Sequence, residues 1–270
     1  STFWDYFREY CQKSERKIKI DLMAIKTLND YNIANKKILV RADLNVPLEN
    51  GKISDISRLI SATPTIKTIQ SLGGITILIS HFGRPNGSYK EELSLKQIVP
   101  ELENLLNCPV KFSSELVGKN VIKKIDNLIG GEILLLENTR FFAEEEMNDE
   151  SFSIELSKLG DIFCNDAFSS SHRAHASTVG VSKLLPNCAG HLMKKEIDTL
   201  ENVLKKPQKP LTAVVGGAKI STKLNLLLNL IKKVDYLIIG GGMANTFLFA
   251  KGLQIGKSLC EKNLKETSLR

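Results

Sequence analysis

Two histidines flank an arginine in CNDAFSSSHRAHAST, residues 164–178. His172, Arg173 and His175 admit three kinds of chemistry. Histidines three apart on one helix face can hold a metal, a histidine can move protons, and the arginine between them can form a cationic pocket for an anion. Metal is the poorest fit: no cysteine or further histidine completes a ligand set, and the arginine repels a cation. Other parts of the chain carry residues of the anion-binding kind. Asp43 and Asn45 follow the apolar run KILVRA (37–42), and His81 and Arg84 follow ITILIS (75–80). Arg140 follows EILLLE (132–137), Arg173 comes after DIFCND (161–166), and Arg58 stands near the start of a helix soon after the first run. Taken singly these residues are ordinary: an arginine after a strand is often solvated, and Asp43 and Asn45 can shape a turn before Pro47. Repeated at matching strand ends, they favour a pocket whose guanidinium forks suit phosphate or carboxylate oxygens.

The runs that precede these residues are short, rich in Ile, Leu and Val, and several are apolar at successive positions. That is the pattern of parallel strands buried on both faces. PVKFS (109–113), LTAVV (211–215) and DYLII (235–239) join them. Amphipathic helices are predicted between them, at 55–72, 95–106, 221–233 and 243–251. Pro64 is expected to bend or divide the first, and Ser94 with Gln97 to form a capping box at the second. Strand–helix alternation points to an α/β fold, in which ligands bind beyond the carboxyl ends of the strands. GHLMKKEIDTLENVLKKPQKP (190–210) reads as a helix and a Lys/Pro-rich turn, and marks a domain boundary.

A second constellation is VVGGAKISTKLNLL (214–227). A strand ends at Gly216-Gly217, Lys219 and Lys223 follow, and a helix is expected to start near Ser221. Glycines let a ligand approach the backbone, and free amides at a helix start favour phosphate. IIGGGMANTF (238–247), with Gly241 and Gly242, repeats the strand–glycine–helix order and suits a nucleotide lying against the backbone. Neither stretch has P-loop or G-x-G-x-x-G spacing, and GLQIGKS (252–258) is one residue short of a P-loop and reads as a turn.

The chain has 270 residues and a net charge of +7, with 42% hydrophobic and 25% charged residues, as in ordinary globular proteins. The basic residues are scattered, with no block and no nucleic-acid motif, which favours small anions over DNA or RNA. Five well-separated cysteines without C-x-x-C spacing read as reduced thiols. The aromatic, charged N-terminus is a poor signal peptide, and no window reaches the ~20 apolar residues of a membrane span. A cytoplasmic location without membrane contact is expected.

RADLNVP, the Arg58 helix ending in ATPTI, SHFGRP, LLENTRF, NDAF…HRAHAST, LMKKE, GGAKISTK and GGGMANTF occur in the order found in phosphoglycerate kinases. From about Met23 to the last residue the sequence resembles that family. The resemblance implies two Rossmann-like three-layer α/β domains with mainly parallel sheets. It further implies ADP or ATP with Mg²⁺, and reversible phosphoryl transfer between 1,3-bisphosphoglycerate and ADP in glycolysis, by a monomer when complete. By motif match, Asp43, Asn45, Arg58, His81, Phe82, Gly83, Arg84, Arg140 and Arg173 fall on the 3-phosphoglycerate side. Lys219, Lys223, Gly216, Gly217, Gly241 and Gly242 fall on the nucleotide side. Arg58 and Lys219 are the expected catalytic residues, which neutralise charge in a loose transition state that needs no general base.

The expected division is an extension at 1–22, a 3-phosphoglycerate domain at 23–189, an interdomain helix at 190–206 and the start of a nucleotide domain at 207–270. Against the family pattern, that last domain is expected to be incomplete, with the Mg²⁺ ligand outside this chain and no metal residue within it. A triose-phosphate-binding fragment without catalysis is the alternative reading. Ser169-Ser170-Ser171 stands where the family usually has a glycine and small residues, so backbone geometry there is open.

Overall fold

The uninterrupted apolar runs become strands because helices lie against both faces of their sheet. The computed structural model describes residues 25–49, 51–205 and 207–270, so the extension expected at 1–22 lies outside the described residues. The chain divides after Ile197 into two compact units. The first contains, in chain order, β1 (Lys37–Arg41), the antiparallel pair β2 (Leu48–Glu49) and β3 (Lys52–Ile53), α1 (Ser57–Ser71), β4 (Ile75–Ile79), α2 (Val99–Leu106), β5 (Lys111–Ser113) and α3 (Lys119–Asp126). It continues with β6 (Ile133–Leu136), α4 (Ala143–Met147), α5 (Glu150–Ser157), β7 (Ile162–Asn165), β8 (Asn187–Ala189) and the first turns of α6 (His191–Lys205).

Six strands form one sheet in the order β5-β6-β4-β1-β7-β8, every neighbouring pair parallel. Alternate side chains leave its two faces. Ile38, Val40, Leu78, Ile133, Leu135 and Cys164 pack with Leu59, Ile66 and Ile69 of α1 and Leu102 of α2. Leu39, Ile77, Ile79, Leu134, Leu136 and Phe163 pack with Val121 and Ile125 of α3 and Phe152 and Leu156 of α5. The result is a three-layer sandwich, and each fully buried Leu or Ile contributes roughly 1.5–3 kcal/mol of transfer free energy. From β1 the chain builds outwards first through β4, then to β7 on the other side. The ends of β1, β4 and β7 therefore meet at a topological switch point, the usual ligand position in such sheets.

Three local expectations change. Pro64 does not divide α1, which runs unbroken from Ser57 to Ser71; the Ile60 carbonyl that a proline cannot serve accepts from the Thr63 hydroxyl at 2.8 Å. Ser94 does cap its helix, accepting from Lys96 N at 3.2 Å, but Gln97 donates to the Ser94 carbonyl at 2.7 Å instead of accepting from the Ser94 amide. Its first turn is a 3-10 segment, Leu95–Ile98. The Asp166 carboxylate caps α6, accepting from Leu192 N at 2.8 Å and Met193 N at 3.1 Å.

The second unit, Asp198–Arg270, holds the parallel strands β9 (Thr212–Gly216) and β10 (Tyr236–Gly240) with α7 (Leu224–Ile231), α8 (Gly241–Ala250) and α9 (Lys265–Leu269). Val215, Ile220, Leu227 and Met243 form its core. The opposite face of the two strands is open: Val214, Tyr236 and Ile238 are 72%, 61% and 54% exposed.

Candidate anion-binding site

Parallel strands deliver their following residues to one edge, and the residues after β1, β4, β6 and β7 interlock there. Asp43, two residues beyond β1, is buried. Arg58, in the first turn of α1, donates from Nη1 to both Asp43 carboxylate oxygens, at 2.8 and 2.7 Å. Its side chain is still 46% exposed, so one edge of the guanidinium is held while much of the fork faces solvent. Ser169 Oγ donates to Asp43 Oδ2 at 2.5 Å, tying the loop after β7 to the end of β1.

His81, two residues beyond the end of β4, faces a second arginine. Arg41 is 1% exposed; its Nη1 donates to the Ala42 carbonyl at 2.5 Å, and its Nη2 lies 3.0 Å from His81 Nδ1. Burial, then the charges of Arg41, Arg140, Arg173 and Arg58, push the His81 pKa down to about 2. The imidazole is thus neutral at neutral pH. A guanidinium only donates, so Nδ1 is the acceptor and the proton resides on Nε2.

Arg140, in the turn after β6, is buried. It donates from Nη1 to the Gly83 carbonyl at 3.1 Å, and its Nε lies 3.2 Å from Glu146 Oε1, an ion pair too poorly aligned to count as a hydrogen bond. Burial lowers its pKa, with Glu146 opposing and Arg173 and Arg84 adding to the shift. Gly83 also donates its N–H to Asn45 Oδ1 at 2.8 Å, which fixes the loop after β4 to the loop after β1. Its φ of +59° favours glycine, and a Cβ there would lie 2.7 Å from Leu93 Cδ2, so that leucine side chain would have to shift. Phe82 puts its ring into the core, and the Asn138 amide holds its backbone, donating to Phe82 O at 2.7 Å and accepting from Phe82 N at 3.0 Å.

The HRAH segment has a different internal order from a metal site. Arg173 Nε donates to His172 Nε2 at 3.3 Å. His175 is half-buried with Nδ1 3.9 Å from Glu145, and burial lowers its pKa against the opposing Glu145 charge. No group of three or more His, Cys, Asp or Glu among the described residues is placed to hold a metal. The serine triplet needs no left-handed backbone; positive φ outside glycine occurs only at Asn35, Asn86, Asn107 and Asn148 among the described residues.

In the second unit the glycines serve close packing of two loops. Met243 N donates to the Gly217 carbonyl at 2.9 Å, and a Cβ on Gly241, whose φ is +65°, would lie 2.9 Å from that same oxygen. Lys223 Nζ donates to the Gly216 carbonyl at 2.7 Å, while Lys219 is exposed. The helix expected near Ser221 begins at Leu224, and Glu261 engages Ser221 ahead of it: its carboxylate accepts from Ser221 N at 3.1 Å and Oγ at 2.5 Å. The Ser221 amide is thus already occupied.

Sequence reading missed Arg41, Asn138, Glu145 and Ser177, and singled out Ser169 for its backbone geometry, not for its contact with Asp43. Arg41 had a visible signal, being the charged residue at the end of an otherwise buried strand. The others are recognisable only through partners distant in sequence.

A family model for phosphoglycerate kinase matches residues 28–269. The chain belongs to that family. It is 53% identical over 246 residues to the phosphoglycerate kinase of Ruegeria pomeroyi and 52% identical over 244 residues to that of Rhodospirillum centenum. These matches cover 91% and 90% of this chain and 62% of each relative, so the chain spans about 62% of the length of the curated relatives it matches. Among solved structures, phosphoglycerate kinase from Coxiella burnetii superposes with a TM-score of 0.80 at 40% identity, and that from Pyrococcus horikoshii OT3 with 0.75 at 33%. Each covers 91% of this chain and 62% of the solved one.

Proposed function

We propose that the arginine-rich edge of the first unit binds 3-phosphoglycerate and 1,3-bisphosphoglycerate, and that the protein is a phosphoglycerate kinase transferring a phosphoryl group between the acyl phosphate and ADP. The observation that carries this reading is the gathering of Arg41, Arg58 and Arg140 around His81 at the carboxyl edge of the parallel strands, where the charge of each acts on that histidine. Family membership supports the same reaction. Arg84 and Arg173 add charge to this edge, and Asn45, Phe82 and Gly83 shape it.

The chemistry asks for neutralisation of charge more than proton transfer. A carboxylate attacks already ionised, so a neutral His81 is no handicap and a general base is unnecessary. Arg58, half-exposed yet anchored by Asp43, is the group we assign to the migrating phosphoryl, with Lys219; a preorganised cation needs little rearrangement as charge shifts. On the nucleotide side we assign Lys223 and the backbone of Gly216, Gly217, Gly241 and Gly242 to ATP or ADP. Mg²⁺ would neutralise nucleotide phosphate, but the described residues hold no cluster that fits a protein-bound metal, and none is assigned to it. Action as a monomer in the cytoplasm belongs to this reading; no helix among the described residues is long and apolar enough to cross a membrane.

Calorimetry of residues 1–270 with 3-phosphoglycerate tests the binding half. Saturable heat that weakens with salt is expected, with Arg58→Ala and Arg140→Ala each lowering affinity about tenfold or more. No saturation at millimolar ligand overturns it. A coupled assay for ATP formation, run on a protein of the relatives' full length that contains this chain, tests the transfer.

A further inference from the structure

Beneath the arginine edge runs a buried chain of polar groups that the phosphoryl chemistry does not itself require. Glu145 of α4 is fully buried, and its carboxylate accepts from both Ser177 N, at 2.8 Å, and Ser177 Oγ. Having spent its single proton on Glu145, the Ser177 oxygen accepts from Arg41 Nε at 3.0 Å. Arg41 then reaches His81 Nδ1 at 3.0 Å. Ser177, Arg41 and Glu145 are each essentially sealed from water. In such surroundings a misdirected hydrogen bond is costly; the Ser177–Glu145 bond leaves the Ser177 oxygen free to accept from Arg41 and so anchors the guanidinium that donates to His81.

The polarity along this chain has one consistent solution. A carboxylate only accepts, so the hydroxyl must donate to it; the hydroxyl oxygen is then the acceptor for Arg41; a guanidinium only donates, so His81 Nδ1 is bare. We propose that Glu145 and Ser177 are positioning residues for the anion site: through Arg41 they hold His81 as the neutral Nε2–H tautomer, a single fixed hydrogen-bond donor. The groups around His81 are Arg41, Arg58, Arg140 and Arg173, and those around Glu145 include Arg41, Arg140 and His175. A donor without charge adds a directional contact for a phosphate or carboxylate oxygen without adding a further cation to an edge already crowded with arginines. Glu145 meanwhile is the foremost counter-charge to the buried Arg41 guanidinium, ahead of Asp43. This assignment rests on the proposed anion site for its purpose but not for its tautomer.

Nitrogen-15 spectra of the histidine-labelled chain, free of ligand, test it, alongside calorimetry with 3-phosphoglycerate. The wild-type His81 nitrogens should carry the Nε2–H signature at neutral pH. Glu145→Gln, which brings a competing amide donor, and Ser177→Ala, which deletes the bridge, should each shift that signature and weaken binding about tenfold. Ser177→Thr, keeping the hydroxyl, should restore both. An Nδ1–H or imidazolium signature in the wild type overturns the proposal. So does a Ser177→Ala protein with unchanged His81 resonances and affinity, or a Ser177→Thr protein as impaired as Ser177→Ala; these outcomes decide even where Glu145→Gln does not fold. The predicted signature in a chain that shows no 3-phosphoglycerate binding would instead sink the proposed ligand and leave the tautomer assignment standing.

Discussion

His81 links folding to acidity in a direction set by its surroundings. Its pKa falls from 6.5 to about 2 on folding, chiefly because burial disfavours the imidazolium. The unfolded chain therefore takes up a proton that the folded chain refuses, and the resulting stability is complete above 6.5 and lost as pH falls from there towards 2. His81→Gln removes this dependence. Between about pH 6 and 5, wild-type unfolding free energy should drop more steeply than the variant's, by up to about 1.4 kcal/mol per pH unit. Parallel slopes in urea titrations across that range would contradict it. At this scale much was legible from sequence: Asp43, Asn45, Gly83 and Arg140 stand in one network because parallel strands end at one edge. What was not legible is which group each touches. Ser169 to Asp43 and Ser177 to Arg41 are pairings 126 and 136 residues apart, and no local periodicity encodes them.

At the scale of elements, most apolar runs announced themselves, three-residue β5 within PVKFS among them, whereas β2, β3 and β8, of two or three residues each, lie in no such run. Pro64 leaves α1 undivided because the neighbouring Thr63 hydroxyl satisfies the Ile60 carbonyl, a side-chain contact that a backbone rule does not include. Helix α6 depends on its cap in a way that can be measured. Asp166 is buried and accepts from two amides of the first turn, and burial raises its pKa. Asp166→Ala should cost about 1–2 kcal/mol and speed hydrogen exchange at Leu192 and Met193, while Asp166→Asn, keeping an acceptor oxygen, should cost less. Equal losses for the two variants would show that charge, not capping, matters there.

For the molecule as a whole, the two units differ in how far their sheets are covered. The first buries both faces of its sheet; the second leaves Val214, Tyr236 and Ile238 open on one. Residues 1–270 should accordingly bind an apolar fluorescent dye, and Val214→Thr with Ile238→Thr should reduce that signal without lowering the denaturation midpoint. An unchanged signal would place the dye elsewhere. The strand order of the first unit also sets a timetable. β1 lies between β4 and β7, and the bond from Lys37 to Asp161, just before β7, closes a separation of 124 residues. A ribosome adding about 5–20 residues per second needs roughly 6–25 s to make that stretch. Until then the nascent chain carries a strand with one flank unpaired, and the edge on which the arginines converge cannot exist before the loop after β7 has left the exit tunnel.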